Sequence, residues 1–110
     1  MLVHEFVDGN KPVMVLVHGL LCPWQLWTPQ IDAFKAHYNI YAVALDAHIE
    51  EHASEFVSVL DEAEEIVQYF QKNGIETIDV LCGMSLGGKI AHEIWKSNKH
   101  PNPKTQYYRD

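Results

Sequence analysis

The chain has 110 residues, of which 47% are hydrophobic and 21% charged, a composition typical of one globular domain. Acidic residues outnumber basic ones 15 to 8, and the formal net charge of -7 argues against partners that are nucleic acids or anionic membrane surfaces. The N-terminus has no signal-peptide pattern, and the two cysteines form no CxxC pair. We therefore expect a cytoplasmic protein with reduced thiols.

Apolar runs predict four strands in the first 97 residues, over 2–7, 13–17, 40–45 and 78–82. Three helices are predicted between and after them: one that begins at Thr28 and Pro29, one that begins near Ser54, and one over 86–97. This alternation predicts an α/β fold with a mostly parallel sheet of about four strands and helices on both faces. Residues 98–110 are polar, and we expect them to form a tail without regular structure.

The second helix has a regular apolar stripe, which predicts the face that it turns to the core. The stripe consists of Phe56, Leu60, Ala63, Val67 and Phe70, and the acidic residues Glu55, Asp61, Glu62, Glu64 and Glu65 lie mostly off it. We expect these acidic residues to face solvent.

The most informative segment runs from the fourth strand into the third helix. It contains Gly83-Met84-Ser85-Leu86-Gly87, which is G-x-S-x-G between a predicted strand and a predicted helix, followed by Gly88. In that context the serine lies at the apex of a tight turn with strained backbone angles, and the glycines are needed because a Cβ would collide with neighbouring backbone. The turn presents the hydroxyl at a helix N-terminus, where amides and the helix dipole stabilise an oxyanion.

A second motif, His18-Gly19, ends the buried strand over 13–17. Together the two motifs resemble the α/β-hydrolase family, and the resemblance covers roughly residues 2–96, the first half of a full member. It implies that Ser85 is the nucleophile, that the backbone N–H groups of Leu20 and Leu86 form the oxyanion hole, and that His18 holds the oxyanion loop. A general-base role for His18 is the alternative.

The resemblance also implies what these 110 residues lack. The family takes its catalytic acid and histidine from loops after later strands, and nothing after Ser85 is expected to fill those positions. His92 is two helical turns from Ser85 and His100 lies in the predicted tail, so the remaining candidates for a base are His48 and His52. The pair His48 and His52 has the spacing of metal ligands but no third partner, and we expect no metal site.

Three functions follow as hypotheses. The first is a serine hydrolase of esters, lactones or related carbonyl substrates, without a cofactor, whose pocket mouth would include Leu20, Leu21, Trp24, Trp27 and Met84. The second is a non-catalytic chain, truncated or half of a split protein, that self-associates or binds a complementing C-terminal half, because the strand over 78–82 would be an open edge. The third is a nucleotide-binding P-loop, since Gly83 and Gly88-Lys89 match G-x-x-x-x-G-K, although Ile90 occupies the Ser/Thr position.

Overall fold

The computed structural model describes residues 1–19, 22–45 and 58–96, together with the backbone of 102–109. These described residues form five strands, three α-helices and one short 3-10 helix. Their order is β1 (Leu2–Phe6), β2 (Val13–Val17), the 3-10 helix (Trp24–Trp27), α1 (Thr28–Phe34), β3 (Asn39–Ala44), α2 (Val59–Lys72), β4 (Thr77–Met84), α3 (Leu86–Lys96) and β5 (Asn102–Arg109).

The strands form one sheet in the order β1-β3-β2-β4-β5. Only β1 is antiparallel to its neighbour β3, and the other adjacent strands are parallel. Strand β2 lies in the middle, where Val15 pairs with Tyr41 of β3 on one side and with Leu81 of β4 on the other. The predicted mostly parallel α/β sheet with three helices is confirmed, with one strand more than the sequence pattern had suggested.

The additional strand corrects two predictions. Within the predicted tail over 98–110, Asn102–Arg109 forms a strand that pairs in parallel with β4 from Thr77 to Met84. Consequently β4 is not the open edge of the sheet. The strand was missed because its residues are polar, whereas strand pairing uses the backbone N–H and C=O groups that β4 offers along its second edge.

Each face of the sheet has its own apolar core. Helices α2 and α3 pack against each other and cover one face, and the 3-10 helix and α1 lie against the other. The larger core, under α2 and α3, includes Val15, Val17, Val43, Leu45, Ile66, Phe70, Ile78, Leu81, Ile90 and Ile94, and the smaller one consists of Met14, Leu16, Trp27, Ile31, Ile40 and Ala42. Helices on both faces are what a parallel sheet requires to be buried.

Helix α2 begins later than predicted and buries a partly different set of side chains. Ser58 is its N-cap, with an extended backbone and a side chain that accepts a hydrogen bond from the N–H of Asp61, and the helix therefore begins at Val59 rather than near Ser54. Leu60 is 64% exposed, whereas Glu62 is only 2% exposed. The buried stripe thus contains Glu62 and Ile66 in place of Leu60, and the prediction that Glu62 faces solvent is wrong. Phe56 lies outside the described residues.

Helix α3 buries one face in the core that it shares with α2 and β4. Ile90 and Ile94 on that face are fully buried, whereas Trp95 is 47% exposed. Among the described residues, no helix is both long enough and apolar enough to cross a membrane.

The side chains that α2 buries can be tested with two alanine substitutions on this helix. Phe70 is fully buried and its ring packs edge-on against Tyr41, so Phe70→Ala should lower the free energy of unfolding by about 3–5 kcal/mol. Leu60→Ala should change it by less than about 0.5 kcal/mol, because the side chain is largely in solvent. Urea unfolding followed by circular dichroism measures both, and equal losses would contradict the described packing.

Candidate active site

Ser85 is the single residue that connects β4 to α3. Its φ angle is 54°, and it is the one non-glycine residue with a positive φ in the part of the chain that the structure describes. An L-residue in the left-handed region costs of order 1–3 kcal/mol and persists only where surrounding contacts impose it. The prediction that Ser85 occupies a strained turn between strand and helix is confirmed.

Two glycines make this turn possible by removing a Cβ from places that backbone already fills. A Cβ on Gly83 would lie 2.3 Å from the carbonyl oxygen of Gly87. A Cβ on Gly87 would lie 2.1 Å from the carbonyl oxygen of Val17 and 2.5 Å from that of His18. Gly83 therefore lets α3 fold back closely on β4, and Gly87 lets the first turn of α3 rest on the end of β2.

The end of β2 lies beside the serine, because β2 and β4 are parallel neighbours whose carboxyl ends meet at the same edge of the sheet. A Cβ on Gly19 would come within 3.0 Å of the Met84 carbonyl oxygen and 3.4 Å of the Ser85 Cβ. The two sequence motifs, His18-Gly19 and the turn at Ser85, are thus brought into contact.

His18 is completely buried and uses both ring nitrogens to hold backbone. Its Nε2 accepts a hydrogen bond from the N–H of Leu45, at 3.0 Å, so the ring proton is on Nδ1 and is donated to the carbonyl oxygen of Gly19, at 2.8 Å. The Gly19 carbonyl also accepts the N–H of Cys22, at 3.2 Å. These bonds favour the structural role for His18 over the general-base role, because the lone pair that a base would use is already occupied.

The proposed oxyanion donors are only partly described. Leu86 is the first residue of α3, a position whose N–H has no acceptor within the helix. The first hydrogen bonds of α3 run to the carbonyl oxygen of Ser85, which accepts the N–H groups of Gly88 and Lys89 at 2.9 and 3.2 Å. Leu20 lies outside the described residues, and its pairing with Leu86 around one cavity stays a prediction.

Cys82 lies three residues before Ser85 on the same strand and is a potential competing nucleophile. Burial raises the pKa of its thiol to about 11. Because the thiolate is the reactive form, a thiol that titrates so high is almost entirely protonated, and inert, at neutral pH. Cys82 is therefore a poor nucleophile at neutral pH, and Ser85 stays the predicted one.

The histidines that the structure describes lie on several different elements. His4 stacks on Trp24, with ring centroids 4.0 Å apart, while His37 and His92 are exposed. No group of three His, Cys, Asp or Glu side chains within the described ranges could hold a metal ion. The candidate bases His48 and His52, as well as His100, lie outside those ranges.

Of the five residues predicted at the pocket mouth, the structure describes Trp24, Trp27 and Met84. Trp27 is only 8% exposed and belongs to the core beneath α1, against which Trp24 and Met84 are partly buried. Leu20 and Leu21 are not described. A cavity of about 430 Å³ lies between α2 and α3, and none of its lining residues belongs to the turn at Ser85. Trp27 is therefore a core residue, and the pocket mouth around the other predicted residues stays a prediction.

The sequence pattern missed the next parallel strand after the serine. Strand β5 is adjacent to β4, and its last residue, Arg109, pairs with Met84 beside the turn. Asp110 follows Arg109 directly in the sequence and lies outside the described residues. A strand after α3 could have been expected from the regular alternation of strands and helices, but the polar composition concealed it.

The backbone around Ser85 contradicts the P-loop hypothesis. A phosphate-binding loop must be open between its first glycine and its lysine so that backbone N–H groups can surround the phosphates. Here β4 continues through Met84, α3 begins at Leu86, and Gly87 and Gly88 are buried helical residues. No loop remains between Gly83 and Lys89 that could hold a nucleotide.

Comparison with known proteins shows which proteins this chain resembles. No family model matches the sequence. The chain is 33% identical over 89 residues to the carboxylesterase YbfK of Bacillus subtilis, a match that covers 77% of this chain and 30% of the esterase. Among solved structures, an esterase from a marine microorganism superposes with a TM-score of 0.84 at 17% identity, over 97% of this chain and 40% of that one.

The N-acyl homoserine lactonase AidH, solved with N-butanoyl homoserine, superposes with a TM-score of 0.80 at 22% identity, over 96% of this chain and 39% of the lactonase. The chain therefore has the fold of the α/β-hydrolases. It spans 30% of the length of the Bacillus esterase and about two fifths of the length of these solved structures.

The close contact at Gly87 leads to a graded prediction. Gly87→Ala should destabilise the protein by at least about 3 kcal/mol or prevent folding, because its Cβ meets two backbone carbonyls that cannot rotate away. Gly19→Ala should cost about 1–2 kcal/mol, since its nearest contact, 3.0 Å, needs only a small shift. Thermal unfolding ranks the two variants, and a Gly87→Ala protein as stable as the parent would show that α3 does not rest on β2.

The role of His18 can be separated from that of an ordinary histidine. His18→Ala should lower the free energy of unfolding by about 2–4 kcal/mol, because it leaves the Leu45 N–H without its acceptor and opens a cavity. The matched control, His37→Ala at an exposed position, should change it by less than about 0.5 kcal/mol. Amide hydrogen exchange at Leu45 should also accelerate in His18→Ala, and unchanged protection there would refute the bond.

Proposed function

We propose that this chain carries the nucleophile of a serine hydrolase, Ser85, and that the substrate is a carboxylic ester, a lactone or a related carbonyl compound. The observation that carries the proposal is the backbone of Ser85, which has a φ of 54° between a parallel strand and a helix N-terminus. Strain of this kind is retained where it serves a function. A serine that only capped a helix would not need it.

The chemistry follows from the position of the hydroxyl. Ser85 Oγ would attack the substrate carbonyl carbon, forming a tetrahedral intermediate whose oxygen carries the negative charge. The N–H of Leu86, at the start of α3, would donate to that oxygen, and the N–H of Leu20 would be the second donor. The positive end of the helix dipole would act in the same direction, and no cofactor is required.

A base must take the proton from Ser85, and no described histidine is suited to that role. His18 is fully engaged with Leu45 and Gly19, and His92 lies two turns along α3 on an exposed position. In the α/β-hydrolase family the catalytic acid and the histidine follow strands that come later in the chain than the strand before the nucleophile, which is β4 here. Strand β5 is such a strand, and Asp110 is the first acidic residue to follow it. We propose that the histidine is supplied by residues outside these 110.

The substrate class rests on the relatives and on the chemistry that they share. One relative is a carboxylesterase and another structure is a lactonase. Both kinds of substrate present a carbonyl carbon bonded to an alkoxy oxygen, which is the target of an activated serine. The second candidate function is binding without turnover, which is favoured by the lack of a histidine suited to act as the base among the described residues.

The proposal predicts that these 110 residues alone hydrolyse p-nitrophenyl butyrate at close to the background rate. Loss of the histidine in a serine triad costs about two-million-fold in kcat in the subtilisin case, and the oxyanion hole and substrate binding leave an acceleration of about 10³–10⁴ over water. The purified protein and its Ser85→Ala variant should therefore be indistinguishable in a continuous assay at 400 nm.

The opposite result would be equally informative. Turnover at about 1 s⁻¹ or faster, abolished by Ser85→Ala, would mean that a base is present within the chain. His48→Ala and His52→Ala would then identify it, with exposed His37→Ala as the control. Turnover that persists in Ser85→Ala would instead remove Ser85 from the reaction and contradict the proposed function.

A further inference from the structure

We draw no further inference here: the strongest candidate, the cavity of about 430 Å³ between α2 and α3 with an apolar floor that includes Ala63, Val67 and Ile94, carries nothing because the described residues do not show what covers it.

Discussion

The contact on which the rest of this structure depends is the one between Gly87 and the end of β2. The first turn of α3 rests directly on the carbonyl oxygens of Val17 and His18, at a distance that excludes even a methyl group. With α3 held there and Gly83 allowing the chain to reverse sharply, the residue between strand and helix has no relaxed conformation available. Ser85 is therefore placed in the left-handed region by packing on both sides of it.

His18 connects the carboxyl ends of β2 and β3, close to Ser85. Its ring joins the end of β3, through the Leu45 N–H, to the carbonyl of Gly19, which in turn accepts the Cys22 N–H. Each of these groups is backbone, so the histidine fixes the course of the chain as it leaves two parallel strands. A buried side chain whose hydrogen bonds are all made in this way stabilises one arrangement and penalises the alternatives. His18 and Gly19, which lie beside Ser85, are therefore positioned by β2 and β3 as well as by β4.

Most of the sheet and the turn at Ser85 could be predicted from the sequence, because each depends on a local pattern. Continuous apolar runs gave β2 and β3, and the glycine spacing around Ser85 gave the strained turn. Strand β5 could not be predicted in this way, since its polar residues carry no strand signal and its position comes from backbone pairing with β4. The start of α2 was predicted too early, because the capping residue is Ser58, and the burial of Glu62 was missed because it depends on how α2 packs on the sheet and on α3. That Trp27 would lie in the core and not at a pocket mouth depended on tertiary packing, for which the sequence has no local signal.

The central claim is that Ser85 is held in a conformation that a serine does not prefer, and one comparison tests it directly. The free energy of unfolding should be measured for Ser85→Gly and Ser85→Ala, which both remove the hydroxyl and differ in the Cβ alone. At an ordinary position glycine is the less stable of the two, by about 0.5–1 kcal/mol. If φ at this position is held near 54°, Ser85→Gly should instead be the more stable, by about 0.5–1 kcal/mol. An alanine variant as stable as the glycine variant, or more stable, would show that the turn is relaxed and would contradict the account.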